Sequence, residues 1–354
     1  MFKNRLRQVG GLGLVVAILA GCTGSGSPTT APVDDTPAVT KAPATTTAPA
    51  TDAAVTSASP DAKLLNIWYV NPLPSFEAWG MSSKIFAENA AAGGYKATLV
   101  GPDKIDIPAM VSMIEQAIAD NADGIITCDL DPAAFKDVIA KAQSKGIVVI
   151  SIGCVDDQSD FSVGTDNTVY GQQSADIIAA DKGPNAQVAI LGTARETPNQ
   201  VAQVKGFNDQ IAAKYPGMKV VTWETDNSDP AVATQKIGSI LAANPKLDAL
   251  WYIEGAAPGV TPAALQEAGK KPGEVYTLAI DALAPTVAAI KDGWISKTLT
   301  QCYFWASPFA ADLIKAKKAG NAPTQKFWPV PIDPVDQSKL PYQGCPADLI
   351  PKLP

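Results

Sequence analysis

Asn121-Ala-Asp-Gly-Ile-Ile-Thr-Cys-Asp-Leu-Asp-Pro-Ala-Ala-Phe, running on to Lys145-Gly-Ile-Val-Val-Ile-Ser-Ile, decides the fold. Asp123–Thr127 is an apolar run of strand length. Pro132–Lys145 reads as a helix, with Pro132 suited to its first turn because that turn's N–H has no partner anyway. Ile147–Ile152 is a second apolar run. A strand, a helix and a strand in this order form a parallel unit. The same unit recurs downstream. Lys246-Leu-Asp-Ala-Leu-Trp leads through a helix and a glycine to Val275-Tyr-Thr-Leu-Ala-Ile. Two similar α/β lobes in series are expected, each a doubly wound parallel sheet.

Working outward, Leu64–Val70 is a buried strand, Phe76–Ala92 a helix and Ala97–Val100 a short strand. Ile107–Asn121 places Ile107, Met110, Val111, Ile114 and Ile118 on one helical face. Phe161–Gly164 closes the first series of strands. The second series is Gln187–Leu191, Lys219–Glu224, Asp248–Ile253, Val275–Ile280 and Lys297–Gln301. Its helices lie at about Asn199–Lys214, Ala231–Ala243, Thr261–Gly269, Ala284–Asp292 and Pro308–Lys318. A last strand is expected from Phe327 to Ile332.

The N-terminus has a different logic. Lys3, Arg5 and Arg7 precede an apolar run from Val9 to Ala20, too short for a bilayer span of roughly 20 residues. The pattern fits a secretory signal peptide over 1–21. Leu19-Ala20-Gly21-Cys22 resembles the bacterial lipobox, in which the cysteine is diacylated and becomes the first mature residue. Residues 22–62 then form a Thr/Ala/Pro linker with no aromatic side chain, unable to bury enough apolar surface to offset its ordering entropy. Such a tether reaches on the order of 35 Å. The chain is expected outside the cell membrane, held by its lipid.

The 28 basic and 35 acidic residues give a net charge of −7; without Lys3, Arg5 and Arg7, 25 basic residues remain and the net charge is −10. With no basic stripe, nucleic acid is excluded as the expected partner. Four cysteines follow Cys22: Cys128, Cys154, Cys302 and Cys345. An even number in an exported chain points to two disulfides, with three possible connectivities. Histidine is absent, so neither a Cys/His metal site nor a Ser-His or Cys-His nucleophile pair exists. Walker, Gly-x-Gly-x-x-Gly and Gly-x-Ser-x-Gly motifs are missing. No metal, cofactor or enzymatic activity is expected. The one enzymatic alternative is acid–base work by carboxylates such as Asp129 and Asp131, as in glycoside hydrolases.

The exported part resembles bacterial ABC-transporter sugar-binding proteins of the ribose-binding type, nearest to the receptors for rhamnose and autoinducer-2. The marks are Val70-Asn-Pro-Leu-Pro-Ser-Phe-Glu-Ala-Trp, Gly101-Pro, Gly164-Thr-Asp-Asn, Leu247-Asp-Ala-Leu, Ala279-Ile-Asp281 and Leu299-Thr-Gln301, over roughly Leu64 to Asp333. The resemblance implies two lobes joined by three hinge crossings near Thr165–Asn167, Gln301–Cys302 and Pro329–Asp333. The first lobe would hold 63–165 and about 302–328, the second 166–301 and about 329–354. In such sheets ligands bind at the carboxyl ends of the strands. A sugar's hydroxyls both donate and accept, and its C–H faces pack on rings. The expected ligand residues are therefore Asn71, Phe76, Trp79 and Asp129 in the first lobe. Asn199, Gln200, Glu254, Asp281 and Gln301 complete the set in the second. Relatives of the ribose type carry an Asp-Arg pair after the fourth strand, where this chain has Gly153-Cys154.

Cys128 and Cys154 end the third and fourth strands of the first lobe, neighbours about 4.8 Å apart in a doubly wound sheet. That spacing predicts a Cys128–Cys154 bridge, and Cys302–Cys345 by exclusion. The function implied is a monomeric receptor that closes over a small polar solute and delivers it to an ABC permease driven by its ATPase. The alternative of another class is a sensor subunit that reports the same ligand to a signalling kinase. A transcription regulator of this fold is remote, because a helix-turn-helix segment is missing.

Overall fold

A computed structural model describes residues 64–353. The expected signal peptide, Cys22 and the linker lie outside the described residues. The first series runs β1 (Leu65–Val70), α1 (Glu77–Glu88), α2 (Ala90–Gly93), β2 (Tyr95–Val100), α3 (Ile107–Ala119), β3 (Gly124–Thr127), α4 (Pro132–Ser144), β4 (Val148–Ile152) and β5 (Phe161–Gly164). The second runs α5 (Asn167–Lys182), β6 (Gln187–Gly192), α6 (Pro198–Lys214), β7 (Lys219–Thr225), α7 (Pro230–Ala243), β8 (Ala249–Tyr252), α8 (Ala257–Glu267), β9 (Tyr276–Ile280), α9 (Ala284–Lys291) and β10 (Lys297–Gln301). The chain then returns through α10 (Ser307–Lys318) to β11 (Phe327–Pro329) and β12 (Ile332–Val335).

Two six-stranded sheets result, ordered β11-β5-β4-β3-β1-β2 and β12-β10-β9-β8-β6-β7. Both are covered on both faces, which alternation along a strand makes visible. Ile67 and Tyr69 enter one core cluster, while Trp68 and Val70 enter another on the opposite face. In the second sheet Val188 and Ile190 face Phe207 and Trp251, stacked at 4.6 Å, and Ala189 and Leu191 face the other layer. Sheets buried on both sides read as continuous apolar runs, which is why the strands were conspicuous in the sequence.

Three passages connect the lobes. The chain leaves β5 and enters α5, capped by the Asp166 carboxylate at 3.0 and 3.1 Å. It comes back from β10 through the 3-10 turn Cys302–Trp305. It crosses once more between β11 and β12.

Three expectations change. The helix foreseen over Phe76–Ala92 breaks at Asn89, whose side-chain amide donates to the Ile85 carbonyl at 2.8 Å and competes with the helical ladder. The single last strand is two: β11 pairs parallel with β5 in the first sheet, and β12 pairs antiparallel with β10 in the second. An antiparallel edge follows from the route. β11 ends at the carboxyl edge of its sheet, and the short link delivers β12 to the carboxyl edge of the other, so it must run backwards. Finally, α8 starts at Ala257 rather than Thr261, because the Glu254 carboxylate accepts the N–H groups of Ala256 and Ala257.

Both foreseen disulfides are formed. Cys128–Cys154 has its Cα atoms 5.0 Å apart across the β3–β4 pair, and Cys302–Cys345 has them 5.6 Å apart.

Candidate functional site

Strand order reverses between β1 and β3 in one sheet and between β6 and β8 in the other, the positions at which α/β sheets open a crevice at their carboxyl ends. The loops there face one another. Phe76, before α1, comes within 3.8 Å of the space a Cβ on Gly255 would occupy, so the first lobe touches the loop after β8. The Glu77 carboxylate accepts the Ala284 N–H at 3.0 and 3.1 Å, joining α1 to the start of α9.

Asp281 is the centre of the second lobe's half. It holds a left-handed backbone, φ 57°, directly after β9. Gln301, at the end of β10, donates its backbone N–H to Asp281 Oδ1 at 3.1 Å and its side-chain amide to both oxygens at 3.3 and 3.4 Å. Burial pushes the Asp281 carboxyl up to about 7, against the lowering effect of those hydrogen bonds. Asp281 in turn lies close enough to Tyr303 to help hold that phenol above its ordinary range, after burial itself.

The aromatic wall belongs to the first lobe. Trp79 packs on Tyr303 at 5.9 Å and edge-on to Phe304 at 5.2 Å. The backbone of Gly153, after β4, lies against both rings: a Cβ there would meet Tyr303 at 2.7 Å and Trp79 at 2.9 Å. At Gly153-Cys154 the loop is thus flanked by aromatic faces and by the Cys128–Cys154 disulfide.

Asp129 is 4% exposed; its Oδ2 accepts from Gln158 at 3.3 Å and its Oδ1 has no partner. Burial, with Asp156, Asp131 and Asp157 nearby, raises its carboxyl to about 7. Asp131 caps α4, its Oδ1 accepting from the Ala133 and Ala134 N–H groups at 3.1 and 3.2 Å.

The remaining expected residues divide. Asn71, 1% exposed, donates to the Trp79 carbonyl at 2.8 Å and to Ser83 at 2.6 Å, and accepts from Leu73 N at 2.9 Å. It braces the loop from behind. Gln200 is similarly committed to Thr193 through both ends of its amide, at 2.9 and 3.1 Å. Its neighbour Asn199 is exposed in the first turn of α6. Glu254 is buried against Asp226: burial, and after it the Asp226 charge, push the Glu254 carboxyl up to about 8, whereas Asp226 is raised by burial and lowered by its hydrogen bond with Glu254. Asp226 Oδ2 is buried with no protein hydrogen-bond partner, while its Oδ1 accepts from the Ser228 N–H at 2.8 Å.

Sequence reasoning missed Asp226, Glu77, Gln158 and Tyr303. Only Asp226 left a trace: Asp226-Asn-Ser-Asp follows a strand, and Asn227 and Ser228 both take left-handed backbones at φ 56°. Such strain in consecutive non-glycine residues marks sites held by their surroundings. Arg195 stacks over Trp223 at 4.8 Å and donates to that residue's carbonyl.

A family model for the periplasmic binding protein domain matches residues 69–322, and the chain belongs to that family. The D-ribose/D-allose-binding protein of Pseudomonas aeruginosa is 24% identical over 66% of this chain and 75% of its own. The xylitol-binding protein of Mycolicibacterium smegmatis is 25% identical over 53% of this chain and 54% of its own, so that match spans about half of the relative. Both are binding proteins. Among solved structures, the ABC-transporter solute-binding protein from Burkholderia graminis in complex with D-arabinose superposes with a TM-score of 0.71, at 22% identity, over 80% of this chain and 99% of that one. At that identity the likeness establishes the fold. Among the described residues no helix is long and apolar enough to cross a membrane.

Proposed function

We propose that this chain is the solute-binding component of an ABC importer, held outside the cell membrane by a lipid on Cys22 and a linker over 22–62. It closes its two lobes over a small sugar or polyol and presents the closed form to a permease and its ATPase. The observation that carries the reading is the Asp281–Gln301 pair, buried at a passage between the lobes and facing the Trp79–Tyr303 wall. A carboxylate and a planar amide side by side suit adjacent hydroxyls, and rings suit the C–H face. Phe76, Asp129, Asn199 and Glu254 complete the ligand shell, while Asn71 and Gln200 hold its loops in place. Relatives that bind ribose, allose and xylitol support the same class of ligand.

The test is calorimetry on the full chain with D-ribose, D-allose, xylitol and D-arabinose. One of these or a near homologue binds 1:1, and Asp281→Asn and Gln301→Ala each weaken it at least about tenfold, as expected when a buried polar partner is left unpaired. Small-angle scattering shows compaction on binding. Affinity for no sugar or polyol, or unchanged affinity in both variants, defeats the reading.

A further inference from the structure

Beside the cleft, and sharing Asp281 with it, lies a cavity of about 310 Å³ whose other lining residues the solute reading does not use. Its walls come from α1, from the loop after β9 and from the C-terminal tail around Tyr342–Gly344. The volume falls at the lower end of small-molecule sites. Its chemistry is one-sided: Glu77 and Asp281 line it, no lysine or arginine does, and Phe304, Trp305 and Tyr342 supply aromatic surface. The Trp305 and Tyr342 rings stand at 81° with centroids 6.4 Å apart and form a corner. Cations are attracted to such ring faces within about 6 Å, and carboxylates on the same cavity add to that attraction.

We propose that this cavity binds a small organic ammonium ion. Glu77 and Asp281 belong to different lobes, so an occupant touches both sides of the closed cleft and favours closure. The tail that supplies Tyr342 is stapled by Cys302–Cys345, and the Tyr342 hydroxyl donates to Cys345 Sγ at 3.4 Å. The disulfide therefore holds the aromatic wall in position.

Calorimetry on the full chain tests this with choline as the probe and 3,3-dimethyl-1-butanol as its neutral isostere. Choline is expected to bind 1:1 with a Kd of about 1 mM or tighter, and the alcohol at least about tenfold more weakly. Trp305→Ala and Tyr342→Ala each weaken choline about tenfold. Tyr342 lies on the half-exposed tail, so its variant reads the site even where Trp305→Ala fails to fold. Tyr342→Ala keeps sugar affinity at the cleft, which separates this site from the solute site. Equal affinity for choline and the alcohol, no choline binding, or choline binding unchanged in Tyr342→Ala overturns the proposal.

Discussion

Gly153→Ala probes how the loop after β4 meets the aromatic wall. Gly153 holds φ 80°, a left-handed conformation that costs an L residue about 1–2 kcal/mol. The added methyl would sit 2.7 Å from Tyr303 Cε2 and 2.9 Å from Trp79 Cη2, well inside van der Waals contact. Neither ring has an easy retreat. Tyr303 is buried, and Trp79 is backed by Phe304 at 5.2 Å. Overpacking at such a place costs about 1–3 kcal/mol. The two effects together give a loss of about 2–5 kcal/mol. Urea denaturation followed by tryptophan fluorescence measures it, as a lower midpoint at unchanged slope. Solute affinity drops as well, because Trp79 and Tyr303 must shift. A loss below about 1 kcal/mol with unchanged affinity would refute the reasoning, since it would mean that the loop does not rest on these rings.

Other consequences follow from the same geometry. Asp281 has a carboxyl raised to about 7, so it favours the folded state at low pH, and that advantage is lost as pH rises through 7. Asp281→Asn, whose side chain tolerates the left-handed backbone, is accordingly more stable than the parent at pH 8. The difference shrinks toward pH 5, as urea midpoints at the two pH values will show. Glu77→Ala removes the acceptor that α1 offers to the start of α9, a cap of about 0.5–2 kcal/mol. It shifts the lobes toward the open form, read as a larger radius of gyration in scattering. Replacing Cys302 and Cys345 by serine opens a 43-residue separation, worth about 4 kcal/mol in the chain-entropy model. A melting temperature no lower than that of the parent would contradict it.

Much of the architecture was legible because it rests on local pattern. Strands buried on both faces must be continuous apolar runs, and the repeated strand–helix–strand order forces parallel sheets. The Cys128–Cys154 pairing followed from the neighbourhood of β3 and β4. Asp281 and Gln301 could be singled out because each ends a readable strand, and Asp131 because an acid before Pro132 is a cap.

What the sequence determined by itself was therefore the two-lobed α/β plan, the strand ends and the pool of polar residues near them. Only the tertiary structure decided how that pool divides. Asn71 and Gln200 turn inward because buried loop N–H groups and hydroxyls need partners, and these amides are the nearest ones. Asp226 and Glu254 meet across β6, and Glu77 reaches Ala284 from 207 residues away, relations that no local spacing encodes. The antiparallel β12 was likewise set by the route of the chain between the lobes. Local chemistry chooses the elements; which side chains remain free at their ends depends on contacts that form only when both lobes are folded.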